Sequence, residues 1–147
     1  MYDALKKKLC PQLSAQNSLK TSDPTLDYNC LAWAIGRTDV WMDIPNYFQP
    51  FLNLEPSTLD HSAKGYASLL ETEFGFVECD SSNMEDGHQK VALYEKDGDW
   101  THIAVQLAGG KWSSKLGGLE DITHDSVDVL AGGQYGHAVI FMKRPSN

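Results

Sequence analysis

The chain has 147 residues, 41% hydrophobic and 22% charged, a composition typical of a globular domain that buries a core. Its formal net charge of −8 argues against general nucleic-acid binding, because that function needs a basic face to neutralise phosphates. The three cysteines, at positions 10, 30 and 79, lie too far apart for a disulfide framework and fit a reducing compartment.

The N-terminus predicts a short amphipathic helix over residues 1–9, broken by Pro11. This stretch has no long apolar core, so it is not a signal peptide, and no segment is apolar enough to span a membrane. We therefore expect a cytoplasmic protein without membrane contacts, with signal-independent secretion left open. The length is that of a single domain, residues 1–147.

Residues 27–36 form the stretch with the strongest chemical signal. Asp27 and Asn29 are good helix N-caps, the residues that follow favour helix, and Gly36 is a natural end. Cys30 would then lie in the first helical turn, where free backbone N–H groups favour a thiolate. The alternative is that Cys30 is simply a small buried residue, as many free cysteines are.

The rest of the N-terminal half predicts surface segments around one longer helix. Residues 11–24 are polar and irregular, and residues 41–48 form an aromatic, proline-broken segment that covers the core or lines a substrate rim. Ser57 or Thr58 would cap a helix that Gly75 ends. Its apolar face carries Leu59, Ala63, Tyr66, Ala67, Leu70 and Phe74.

The C-terminal half predicts an antiparallel sheet. After a short strand at 76–79, which carries Cys79 as a structural residue, we expect strands near 91–95, 101–107, 111–116 and 135–143. A short extended piece around Ile122 and a helical turn at 125–130 separate the last two. Helices first and a strand meander afterwards indicate an α+β fold, with the Cys30 helix packed on the sheet.

Two histidines begin apolar strands and are candidate bases for Cys30: His102 and His137. A tight hairpin at Gly109-Gly110 would put Leu107 opposite Trp112 and Ala104 opposite Lys115. His102 would then share a face with Ser113, Lys115 and Gly117, whereas a slip of one residue would substitute Ser114. We favour His102, because the final strand that holds His137 has no returning strand to orient it. A lone strand histidine can also be purely structural.

Three motifs in this order resemble the papain-like cysteine hydrolases, especially the small bacterial NlpC/P60 and CHAP amidases and the amidase-like bacterial effectors. Residues 29–34, Asn-Cys-Leu-Ala-Trp-Ala, resemble the nucleophile helix, and residues 101–105, Thr-His-Ile-Ala-Val, resemble the base strand. Residues 112–117, Trp-Ser-Ser-Lys-Leu-Gly, are similar to a segment of uncharacterised bacterial proteins. The motifs cover roughly a tenth of the chain, and short motifs of this kind gain meaning from their structural context.

The resemblance implies a papain-like fold in which the Cys30 thiolate attacks a carbonyl carbon and His102 takes and returns the proton. The family's third residue is usually His, Asn, Asp or Glu; here the candidates are Ser114, Lys115 and the more distant His124. It also implies that oxyanion or substrate contacts come from Tyr28, Asn29, Trp33 and Trp112.

The implied function is a peptidase, amidase or deamidase without metal or cofactor, such as a bacterial amidase or an effector toxin. Its partners would be a peptide or protein substrate and a cognate immunity or regulatory protein. A zinc site from Cys30, Cys79, His88 and His102 lacks ligand pairs at the usual spacing. The main rival is a non-catalytic binding module, such as an antitoxin, an adaptor or a decayed hydrolase.

Overall fold

The structure is a computed structural model that describes residues 2–43 and 61–146. It is an α+β fold in which short helices accompany one antiparallel sheet of seven strands, as the sequence predicts at this level. The α-helices are α1 (Tyr2–Leu9), α2 (Cys30–Ala34) and α3 (Ala63–Phe74), and a 3-10 helix spans Val127–Leu130. The strands are β1 (Ser18–Lys20), β2 (Val77–Cys79), β3 (His88–Lys96), β4 (Asp99–Gln106), β5 (Trp112–Lys115), β6 (Asp121–His124) and β7 (His137–Pro145).

The helices follow the local signals of the sequence. Asn29 caps α2, and Gly75 ends α3 in the left-handed conformation with φ 76°, which glycine adopts without steric cost. The described part of α3 begins at Ala63 after Ser62, whose side chain accepts a hydrogen bond from the Gly65 N–H. The caps predicted at Ser57 or Thr58, and the greater part of the aromatic segment at 41–48, lie outside the described residues.

The prediction of irregular chain from 11 to 24 is wrong at β1, which pairs with β6 from Ser18–His124 to Lys20–Ile122. The strand is only three residues long and mostly exposed, so its composition carries no alternation of apolar and polar side chains. Its partner lies about a hundred residues away in the sequence, and backbone pairing with β6 decides its conformation.

The pairing of β4 with β5 also differs from the prediction, by one residue. Val105 lies opposite Ser113 and Gln106 opposite Trp112. The reason is the loop: the Leu107 N–H donates to the Lys111 carbonyl at 2.7 Å, which leaves three residues in the turn where the sequence predicts a two-residue hairpin. His102 therefore shares its face of the sheet with Ser114, and not with Ser113 and Lys115.

The sheet separates two apolar clusters. One side packs α2 and α3 onto residues such as Leu93, Ile103 and Val105. The other side gathers Tyr94, Ala104 and Trp112 with the 3-10 helix and Tyr135. Within residues 2–43 and 61–146, none of the helices has the length and hydropathy needed to cross a bilayer.

Candidate active site

The start of α2 is held by Asn29. Its Oδ1 accepts hydrogen bonds from the N–H groups of Ala32 and Met42, at 3.2 and 3.0 Å, while its Nδ2 donates to the Met42 carbonyl at 2.6 Å. One buried side chain thus caps the helix and ties it to the chain that follows. Cys30 is the first residue of the helix and is only 6% exposed.

Cys30 lies where β4 and β5 separate. The two strands pair only at Val105–Ser113 and Gln106–Trp112, so the preceding part of β4 has no ladder partner in β5, and α2 packs against both strands there. The backbone N–H of Ile103, in this part of β4, lies near enough to the sulfur of Cys30 to favour its charged form. Cys30 belongs to the apolar cluster on the α2 side of the sheet.

Burial and backbone N–H donors shift the pKa of the Cys30 thiol in opposite directions. Burial raises its pKa, and the N–H groups of Ile103 and Leu31 lower it, with a net pKa of about 11. At neutral pH the sulfur at rest is therefore protonated, which differs from the thiolate expected from the sequence. The same donors would stabilise negative charge once it forms.

Cys30 lines a cavity of about 440 Å3. Because the cavity opens at the separation of β4 and β5, its walls come from both sides of the sheet: Trp100 packs with the α2 side, and Leu116 and Tyr135 belong to the opposite cluster. The further walls are mostly apolar and include Leu9, Trp41 and Leu119. An apolar cavity with a thiol in its wall has the composition of a ligand site.

His102 lies on β4 directly before Ile103. It is fully buried, and within the described parts of the chain neither ring nitrogen has a hydrogen-bond partner. Its ring stacks on Tyr135, with centroids 4.2 Å apart, and meets Tyr94 edge-on at 5.3 Å. Burial, with a smaller contribution from His124, holds the pKa of His102 well below its ordinary value, so the ring is neutral.

The expected contact between Cys30 and His102 is thus not a hydrogen bond in this structure. His102 points to the side of the sheet that carries Tyr94 and Tyr135, whereas Ile103, its neighbour, faces α2. Cys30 belongs to the cluster on the Ile103 side, so Cys30 and His102 lie on opposite sides of β4.

The three candidate orienting residues have other partners. The Ser114 hydroxyl is bonded to Nε2 of His124 at 2.8 Å, and Nδ1 of His124 to the Ser126 carbonyl at 2.8 Å. Burial lowers the pKa of His124 to about 4, against the opposing effects of the Ser126 carbonyl and Asp125. Ser114 and His124 therefore satisfy each other, and Lys115 donates to the carbonyls of Thr25 and Gly117.

The expected substrate contacts are also engaged elsewhere. The Tyr28 hydroxyl donates to Asp121 at 2.6 Å, and the Trp33 Nε1 donates to the Ser113 hydroxyl at 2.8 Å. The two rings stack on each other. Trp112 is 2% exposed inside the core. Of the four expected contact residues only Asn29 lines the cavity, and its amide is already hydrogen-bonded to Ala32 and Met42.

The remaining candidates lie apart from Cys30. His137, the rival base, is exposed at the start of β7 opposite Glu95. Cys79 lies in the edge strand β2, and the His88 ring contacts the Asp86 carbonyl. In the described ranges, no three His, Cys, Asp or Glu side chains are grouped as metal ligands would be.

A larger concavity, of about 810 Å3, lies at the other end of β3 and β4. Its lining includes Glu85, His88, Gln106 and Arg144, but neither Cys30 nor His102. Size alone would favour this concavity as the site. We place the candidate site at the smaller cavity, because a nucleophilic side chain with backbone donors on its sulfur lies in its wall.

Two residues near the site have roles that the sequence does not predict. Tyr135 is predicted only as the first residue of the last strand, which in the structure begins at His137, yet it lines the cavity and covers His102. Asp121 lies in what the sequence predicts as a connecting piece, yet its carboxylate accepts from the hydroxyls of Tyr28 and Thr21. A sequence cue exists only for Tyr135, an aromatic residue within a glycine-rich stretch that begins a strand.

A protein-family model matches residues 19–143, which is well over half of the chain. Its description is a domain of unknown function, DUF7689, and the chain belongs to this family. No curated protein and no solved structure matches the chain.

Proposed function

We propose that this member of the DUF7689 family is a cysteine-dependent amide or peptide hydrolase of papain-like arrangement, with Cys30 as nucleophile and His102 as base. One observation carries the proposal: Cys30 lines an apolar cavity, and the backbone N–H groups of Ile103 and Leu31 favour negative charge on its sulfur. Such donors stabilise the charge that a thiol acquires when it attacks a carbonyl.

The protonation states suit general-base catalysis. Cys30 rests as a thiol and His102 as a neutral imidazole, so the ring is able to accept the proton that the sulfur loses on attack. The sulfur would form a thioester with the acyl group, and the protonated ring would give its proton to the departing amine. Water would then release the acid and regenerate the thiol. This cycle requires a rearrangement that brings the His102 ring to the sulfur.

The environment of His102 supports a role beyond packing. A fully buried polar group without a hydrogen bond costs on the order of 1–3 kcal/mol. Both ring nitrogens of His102 are in this condition within the described residues, while an apolar residue would fill the same space against Tyr94 and Tyr135 without that cost. A base held ready for a proton accounts for the histidine.

The substrate class that follows is a peptide or protein amide, which enters the cavity beside Cys30. If the hydrolase is an effector toxin, an immunity or regulatory protein would cover the same opening. We propose neither a metal nor another cofactor, because the thiol and the imidazole together supply the nucleophile and the proton transfer.

The test is the rate of iodoacetamide labelling at each cysteine between pH 5 and 10, read by mass spectrometry. Cys10 is an internal control for burial, because it is 1% exposed and burial raises its pKa to about 12. We expect Cys30 to react at neutral pH far faster than Cys10. His102→Phe, which preserves the stack on Tyr135, should slow Cys30 about tenfold or more, a typical scale for loss of a general base.

The same experiment distinguishes loss of the base from loosening of the fold, because a loosened fold would also expose Cys10 to the reagent. With a cleavable substrate, Cys30→Ser and Cys30→Ala should both abolish turnover, since a serine hydroxyl is far less acidic than a thiol. A Cys30 that reacts as slowly as Cys10, with a rate that His102→Phe leaves unchanged, would overturn the proposal.

A second candidate function is a non-catalytic binding module. The observation that favours it is the missing hydrogen bond between Cys30 and His102. In that case the cavity would bind an apolar segment of a partner protein, and the labelling experiment would show two ordinary buried cysteines.

A further inference from the structure

Lys115 is a buried cation without an ion-pair partner within 4 Å in the part of the chain that the structure describes. Lys115 is 0% exposed, and its Nζ donates to the carbonyls of Thr25 and Gly117. The fold's other fully buried lysine, Lys90, is paired with Glu85 at 2.8 Å. A buried charge is costly unless an opposite charge compensates it, so Lys115 needs an explanation that Lys90 does not.

The obvious carboxylate is close but engaged elsewhere. Asp121 is the cross-strand neighbour of Lys115 in β6, and its two oxygens accept hydrogen bonds from the Thr21 and Tyr28 hydroxyls. The Lys115 ammonium lies over the Tyr28 ring, 5.0 Å from the centroid. Tyr28 therefore contacts both groups: its hydroxyl donates to the carboxylate, and its ring faces the cation.

Lys115 lies on the same side of the sheet as α2. It alternates with Ser114 along β5 and so shares a face with Ser113, which bonds to Trp33 of α2. Gly117, whose carbonyl accepts from Lys115, lines the cavity together with Cys30. The positive charge of Lys115 lowers the pKa of Cys30, against the larger effect of burial, and the sulfur raises that of Lys115.

We propose that Lys115 is the electrostatic partner of Cys30: its charge stabilises the sulfur when it becomes negative, and Asp121, through Tyr28, moderates that effect. This role, which rests on the proposed function, replaces the orienting role that the sequence suggested. Lys115 is a positioning residue, because it keeps its own proton and acts on the sulfur through its charge. The proton of Cys30 passes to His102 or to solvent, and the ammonium offsets the charge left behind.

Ionisable groups from several elements face this pair, and Asp43 and Tyr135 line the cavity beside Cys30. Asp121, Asp27 and Cys30 all favour the charged form of Lys115, whereas its burial disfavours that form and lowers its pKa overall. Tyr28 contributes its ring face and its hydroxyl. Removal of the positive charge and removal of the Asp121 negative charge should therefore move the Cys30 pKa in opposite directions, an outcome that a purely structural role would not produce.

The experiment measures the iodoacetamide labelling rate of Cys30 against pH in the full chain that also carries His102→Phe. In this background no base assists the thiol, so the rate reports the thiolate fraction alone. This holds whether or not His102 acts as the base in the wild type. Lys115→Met should raise the Cys30 pKa by about one unit, which lowers the rate about tenfold at every pH below the midpoint. Lys115→Arg should restore most of the rate, and Asp121→Asn should increase it severalfold.

Lys90→Met is the matched control, because it also removes a fully buried lysine but leaves Lys115 in place. Its Cys30 profile should equal that of the background. Circular dichroism establishes that each variant folds. If Lys115→Met does not fold, Lys115→Gln, which also removes the positive charge, takes its place, and its shift of the Cys30 pKa should be opposite to that of Asp121→Asn. Equal Cys30 profiles in all folded variants would overturn the role of Lys115, while a strong effect of His102→Phe alone would leave the hydrolase proposal standing.

Discussion

The ring of Tyr135 lies flat against the ring of His102, with centroids 4.2 Å apart and planes inclined by 15°. Tyr135 also lines the cavity that Cys30 lines, so one side chain is in contact with the candidate base and faces the candidate nucleophile's cavity. Its carbonyl accepts from the Thr101 hydroxyl at 2.6 Å, which ties the turn to β4 beside His102. The environment of His102 therefore depends on a residue more than thirty positions away.

Loss of the Tyr135 ring should destabilise the fold and expose His102. We expect Tyr135→Ala to lower the free energy of unfolding by about 3–5 kcal/mol, the usual range for removal of a buried aromatic side chain. The His102 pKa should rise towards its ordinary value as water reaches the ring. Urea unfolding and an NMR titration of the imidazole measure the two effects. Tyr135→Phe keeps the stack, and a raised His102 pKa in that variant would contradict this account.

Stability should fall in mild acid. The folded-state pKa values of His102 and His124 are below the ordinary 6.5, so below that pH the unfolded chain binds more protons than the folded one. The stabilisation is complete above pH 6.5 and decreases as the pH falls towards the folded values. Each histidine should account for about 2 kcal/mol between pH 7 and pH 5.

Urea unfolding at several pH values measures this slope. His102→Phe keeps the packing on Tyr135 but cannot titrate, so its slope should be about half that of the wild type over this range. An unchanged slope would mean that His102 is charged or hydrated in the folded protein.

The contributions of the Asn29 side chain to stability, as donor and as acceptor, should be separable by substitution. Asn29→Ala removes the helix cap, about 1 kcal/mol, and leaves the N–H and carbonyl of the buried Met42 unpaired, about 1–3 kcal/mol each. Asn29→Asp keeps the acceptor for Ala32 and Met42, but it replaces the donor with an oxygen that faces the Met42 carbonyl. Urea unfolding should therefore rank wild type above Asn29→Asp and Asn29→Ala last; equal losses would show that the acceptor contributes nothing.

Gly136 should tolerate no side chain. A Cβ at this position would clash with the backbone carbonyl oxygen of Glu95, and its φ of 71° already favours glycine. Gly36, with φ 90° and nothing within 4 Å of an added Cβ, is the matched control for backbone strain alone. Gly36→Ala should cost about 1–2 kcal/mol. Gly136→Ala should cost about 1–3 kcal/mol more, from overpacking, in the same thermal or urea measurement. Equal losses of stability in Gly36→Ala and Gly136→Ala would contradict the expected clash with the Glu95 carbonyl.

Features that depend on neighbouring residues could be predicted from the sequence. The α2 cap at Asn29 and the end of α3 at Gly75 follow from side-chain chemistry and glycine geometry within a few positions. The strands from β3 to β5 follow from β-branched and aromatic residues between turns. Cys30 and His102 stand out for the same local reasons, a cap before one and an apolar strand after the other.

Features that depend on distant pairing could not be predicted. A loop of three residues after Leu107, in place of a two-residue turn, moves β5 by one position and exchanges Lys115 for Ser114 on the His102 side. The Tyr28–Asp121 hydrogen bond joins residues 93 positions apart, and no local pattern specifies it. The roles expected of Ser114 and Lys115 depend on that register.

The order of strands in the sheet has a consequence for synthesis of the chain. Both outermost strands, β1 and β2, precede the sheet's central strands in the sequence, and each pairs only with a late strand, β6 or β7. Neither edge strand is able to pair on the ribosome until its partner strand emerges, and long-range strand pairing of this kind forms slowly. A polypeptide that stops before residue 121 would carry Cys30 and His102 but neither paired edge strand, so the nascent thiol would acquire its surroundings only after β6 and β7 have been synthesised.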